Sequence, residues 1–140
     1  MKTLQPPGWA RPRGYANGIA ARGTQVFIAG QVGWNAEQRF EADDFVAQAA
    51  QALRNVVAVL AEAGAAPQHI VRMTWYVVDK AEYLACLGPL GRAYRAVIGR
   101  HYPAMTAIEV KGLVEEGARV EIEVTAVVPD TIGRAEAAGR

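Results

Sequence analysis

Few residues in this chain have the type and spacing to do chemistry. His69 and His101 lie on separate segments with no cysteine or carboxylate cluster at ligand spacing, so a metal site is not expected. Cys86 falls in a helical pattern with no histidine at hand, the setting of an inert buried thiol. The stretch Gly30-Gln31-Val32-Gly33 lacks the spacing of a dinucleotide or phosphate loop, and no G-x-S-x-G occurs. Two places remain. One is the tight step Pro103-Ala104-Met105-Thr106 at the opening of a strand pattern. The other is Glu121, which shares one strand face with Arg119 and Glu123. Met105 can serve as a flexible gap-filler in a core, and Glu121 can be half of an ion pair. The surrounding elements decide whether either does more.

Those elements are legible from periodicity. Residues 14–21 (GYANGIAA) read as a weak strand and 24–30 (TQVFIAG) as a stronger one, with Arg22-Gly23 between them suited to a tight hairpin. From Asp43, a candidate N-cap, Val46, Ala49, Leu53, Val56, Val57 and Leu60 recur at helical spacing, and Gly64 closes the helix. Residues 70–78 (IVRMTWYVV) form a β-branched and aromatic strand with large apolar groups on both faces. Asp79 and Glu82 open a second helix that Gly88-Pro89 should kink or divide and Gly99 ends. Two strands follow, 105–110 and 119–128, joined through Gly112 and Gly117. The order β-β-α-β-α-β-β predicts an α+β domain over residues 14–128, after an extended segment 1–13 and before a small polar tail, 129–140, expected to be disordered.

Composition narrows the partners. At 140 residues the chain makes one domain, large enough for a core without disulfides or metal. A net charge of +1 with no basic run gives no field for steering nucleic acid, so none is expected as a partner. A single cysteine excludes an internal disulfide and suits a reducing, cytoplasmic compartment. The N-terminus has no uninterrupted apolar run, so neither a signal peptide nor a membrane span is expected.

The last strand is the informative one. Val120, Ile122, Val124, Ala126 and Val128 make one face for two helices to cover, while Arg119, Glu121, Glu123 and Thr125 make the other. Two helices cannot cover both sides of one sheet. The uncovered side is too apolar in places for solvent and too charged for a closed core, which fits a subunit interface holding a polar pocket.

GYANGIAA, VFIAGQVGWN, QALRNVVAVLAEAGAAPQHIVRMTWYVVD, YPAMTAIEV and VEIEVTAVV together resemble the RidA family, also called YjgF/YER057c/UK114 and, under an older name, endoribonuclease L-PSP. The resemblance runs from about residue 14 to 129. It implies a chorismate-mutase-like α+β subunit, a homotrimer with pockets between subunits, and a deaminase that hydrolyses reactive imines and enamines without cofactor. It also implies a small-molecule substrate. By the same resemblance, Tyr15 matches the family tyrosine, Gly30 the glycine of the S-G-Q stretch, and Glu121 the glutamate that helps position water. Thr106 matches the hydroxyl residue of the P-A-R-[ST] motif. The arginine of that motif, which grips the substrate carboxylate, falls on Met105.

A guanidinium holds a carboxylate through two charge-assisted hydrogen bonds of roughly 1.5–3 kcal/mol each, and a thioether has no donor. Three readings stay open. Hydrolysis proceeds on a substrate with another recognition handle, Tyr15 contacting the reacting centre and Glu121 activating water. Alternatively, Arg13, Arg72 or Arg119 replaces the missing cation. In the third reading the domain binds a small metabolite, or serves assembly, without catalysis. A ribonuclease reading rests only on the family's older name.

Overall fold

The parallel pairing of Ile70–Val77 (β4) with Ala104–Glu109 (β5) sets the architecture, because parallel neighbours need a crossover. Lys80–Ala85 (α2) and Leu87–Val97 (α3) supply it. Thr24–Val32 (β3) and Val120–Val128 (β6) complete a four-stranded sheet in the order β3-β6-β4-β5, with β6 antiparallel to both neighbours. The computed structural model describes residues 1–130, so most of the tail expected at 129–140 lies outside the described residues.

Phe45–Glu62 (α1) packs on β3, β6 and α3. Its stripe buries Ala49, Leu53, Val56 and Leu60 as the spacing predicts, with Val46 and Val57 at the margin of the same core. The N-cap is Asp44 rather than Asp43: its carboxylate accepts from the Ala47 N–H at 2.9 Å. Asp43 instead pairs with Arg119. Gly64, with φ of 67°, closes the helix as expected. Gln48 was not foreseen as a structural residue. Buried within the core side of α1, it donates to the Ala42 and Gly117 carbonyls and accepts from the Arg119 N–H, tying the start of α1 to the start of β6.

The second helix is two. Asp79 caps α2 by accepting from the Glu82 N–H, and the division comes at Cys86, just ahead of Gly88-Pro89. Pro89 thereby sits in the first turn of α3, where a missing N–H breaks no helical bond.

The expected hairpin between residues 14–21 and 24–30 does not form. The strand there is short, Gly18–Ala20 (β2), and it pairs with Lys2–Leu4 (β1) instead of β3. The physical reason lies at Ala16, whose N–H donates to the Pro103 carbonyl at 3.0 Å and which bridges to Ala104. This places the chain at the β5 edge, three strands away from β3. Residues 1–4 thus have a partner that the sequence reading did not assign.

One sheet face carries the core; among the described residues no element of the subunit covers the other. The register shift between Ile70 and Arg72 sends Met73, Trp75 and Val77 into the core and leaves Arg72, Thr74 and Tyr76 on the open face. β4 is therefore more one-sided than its sequence suggested. The large apolar groups on the open side are Phe27, 72% exposed, and Ile108.

Candidate functional site

The bond from Ala16 to Pro103 does local work: it brings Tyr15 beside the opening of β5. Tyr15 and Met105 then line one cavity of about 670 Å³. Register explains the methionine's position, since Met105 pairs with Met73 in β4 and so turns toward the helices, where it packs half-buried against the core. The rest of the wall comes from the crossover and the strands beneath it, with Trp75, Tyr83, Tyr94 and Tyr102 as its rings.

Tyr94 and Tyr102 stack at 5.5 Å between centroids with planes 14° apart, and the Tyr94 O–H donates to the His101 carbonyl at 2.5 Å. Burial first, then the neighbouring Tyr102, pushes the Tyr94 hydroxyl well above its ordinary pKa, and burial also raises that of Tyr83. Both therefore stay neutral at physiological pH. Among the described residues of the subunit no carboxylate lines the cavity, whereas two arginines, Arg13 and Arg95, do.

Gly30 and Glu121 are also brought together, at a different place. A Cβ on Gly30 would fall 2.3 Å from the Glu121 Oε2, so the carboxylate lies across the strand in the space a side chain would otherwise take. Glu121 belongs to the face of β6 opposite Val120 and Ile122, away from the Met105 cavity. Thr106, paired with Thr74, likewise turns to the open face. The five residues thus divide: Tyr15 and Met105 on one side of the sheet, Gly30, Glu121 and Thr106 on the other. A single subunit does not unite them.

The three arginines considered as replacements separate cleanly. Arg119 is committed, with its guanidinium on the Asp43 backbone carbonyl and carboxylate and 3.2 Å from Glu82. The hydrogen bond that it donates to the Asp43 carboxylate, with the charges of Glu82 and Asp43 nearby, raises its pKa. Arg72 is exposed on the open face. Arg13 alone of the three reaches the cavity. Arg95 was missed, although the positions Leu87, Leu90, Gly91, Tyr94 and Arg95 follow helical spacing on one face of α3. Among the described residues, no three His, Cys, Asp or Glu side chains cluster as a metal site, and no helix is long and apolar enough to cross a membrane.

Comparison with known proteins agrees with this fold. The family model described as endoribonuclease L-PSP matches residues 10–128. A RutC family protein of Aquifex aeolicus is 33% identical over 91% of this chain and 99% of its own. The Salmonella typhimurium protein named 2-iminobutanoate/2-iminopropanoate deaminase is 31% identical over 81% of this chain and 86% of its own. A crystal structure of a Rid-family protein of unknown function from Yersinia pestis superposes with a TM-score of 0.81 at 30% identity, covering 91% of this chain and 98% of that one. With the mixed sheet, the helical layer and the matched span in agreement, the chain belongs to the endoribonuclease L-PSP family, the YjgF/YER057c/UK114 or RidA family, and has its chorismate-mutase-like fold.

Proposed function

We propose that this RidA-family chain forms a homotrimer in the cytoplasm and hydrolyses a reactive imine or enamine at a pocket between subunits. The reading is carried by one observation: Tyr15 and Met105 share a cavity at the β5 edge, while Gly30 and Glu121 meet near the β3 edge on the opposite face. A heterologous contact, β5 side of one subunit to β3 side of the next, closes into a ring and completes the set. The uncovered sheet face with exposed Phe27 supports the same assembly.

In this site the Tyr15 O–H hydrogen-bonds the imine, and Glu121 from the neighbouring subunit accepts a proton from water as the water oxygen adds to the C=N carbon. Glu121 passes that proton on to the nitrogen, and the resulting carbinolamine collapses to a carbonyl with release of ammonia. Thr106 and the Gly30 backbone contribute substrate contacts. Met105 supplies no donor, so a small 2-imino acid loses the guanidinium that the family motif provides. That loss also supports a second reading, a metabolite-binding module without turnover. Supply of a 2-imino acid by an amino-acid oxidase separates them. Hydrolysis in wild type or in Met105→Arg, abolished by Glu121→Ala, supports the enzyme; no turnover in either protein removes it.

A further inference from the structure

The cavity beside Met105 is larger and more aromatic than a small imino acid requires. Its volume of about 670 Å³ would hold about twenty waters at about 30 Å³ each, in the range of sites that enclose whole drug-sized ligands. A ligand of a few heavy atoms would leave the half-buried rings of Tyr83 and Tyr102 facing water. An aromatic ring covers those walls with stacked or edge contacts, and the polarisable Met105 sulfur adds a favourable ring contact.

The charge on the ligand follows from the lining. Within one subunit two guanidinium groups and no carboxylate line the cavity among the described residues, so it stays net cationic when the neighbour adds the single carboxylate of Glu121. Arg13 lies in a segment without regular secondary structure. Arg95 is on α3, and its Nη1 lies over Gly91, one turn back, so close that a Cβ there would be only 3.2 Å away. Gly91 therefore makes room for the guanidinium to fold back along the cavity wall. Among the described residues Arg95 makes no ion pair.

Resting on the ligand-binding role proposed for this cavity, we infer that it takes an aromatic carboxylate whose ring lies among Trp75, Tyr102 and Met105 and whose carboxylate is held by Arg95. The grip has moved from the strand position now occupied by Met105 to a helix, and the recognised group lies farther from the strand. Such a substrate would be the imine of an aromatic amino acid or an aryl-bearing acid of similar length.

Isothermal titration with three stable probes tests this: 3-phenylpropanoate, propanoate and 3-phenylpropanamide. The expected result is binding of 3-phenylpropanoate at least tenfold tighter than either other probe. Arg95→Gln, at an exposed position, should bring its affinity down to that of the amide, and Gly91→Ala should weaken it by crowding Arg95. Equal binding of propanoate removes the ring, and equal binding of the amide removes the charge. Loss on Arg13→Gln with none on Arg95→Gln removes the assigned residue, and absence of binding by all three probes removes the whole inference. Binding as expected without imine turnover would overturn only the hydrolase reading. Turnover of 2-iminopropanoate without binding or inhibition by 3-phenylpropanoate would overturn only this one.

Discussion

Glu121 lies across Gly30, its Oε2 within 2.3 Å of where a Cβ on that residue would stand. The absent side chain is what lets a carboxylate from β6 lie over β3. Gly30→Ala forces the Glu121 side chain to swing away, because the new Cβ meets its Oε2, Cδ and Cγ, and the cost is contained because no backbone atom is among them. Imine hydrolysis should fall at least tenfold while the urea midpoint moves little. Kinetics and urea denaturation on the same preparation check both halves.

Gln48 should be among the most costly polar positions. Gln48→Ala leaves the Ala42 and Gly117 carbonyls and the Arg119 N–H without their partner in the interior. At about 1–3 kcal/mol for each buried group left unsatisfied, a loss of about 3 kcal/mol is expected once water enters part of the space. Urea denaturation should show a lower midpoint with an unchanged slope.

The open sheet face predicts assembly. Sedimentation or light scattering should give about 45 kDa, three times the 15.0 kDa of one chain. Phe27→Asp puts a charge at the most exposed ring of that face and should shift the mass toward 15.0 kDa. An unchanged trimer in Phe27→Asp would place the subunit contact elsewhere.

The tyrosines of the cavity wall set an alkaline limit. Burial raises the folded-state pKa of Tyr83 and Tyr94 above the unfolded value of 10.0, so folding favours the neutral phenols. Their contribution is complete below pH 10 and is lost as pH rises toward the folded values. Melting temperatures measured from pH 8 upward should hold level and then fall above about pH 10. In Tyr94→Phe the fall should be shallower, from a lower starting point because the bond to the His101 carbonyl is gone.

Local pattern determined most of the elements of this protein, among them α1, β3, β4, β5 and β6. The stripe from Ala49 to Leu60 marked α1, the alternation from Val120 to Ala126 marked β6, and YPAMTAIEV was one of the blocks that together marked the family. These are short-range signals, because a helix or strand face is written at spacings of two to four residues. Which of Asp43 and Asp44 caps α1 was not legible, since both are competent and only the ion pair with Arg119 distinguishes them. Nor was the fate of residues 14–20: turn chemistry at Arg22-Gly23 favoured a hairpin, and a distant bond to Pro103 prevailed.

The site shows the same division. Residue types at Tyr15, Gly30, Met105 and Glu121 could be read from the chain. Their separation into two pairs on opposite faces depends on strand register and on a bulge in β3, and neither follows from spacing along the sequence. Arg95 became visible only when α3 packed on α1 and one face of it became a wall of the cavity that Trp75 and Met105 also line. The sequence determines which side chains are available; tertiary packing determines which of them meet, because that rests on contacts between segments far apart in the chain.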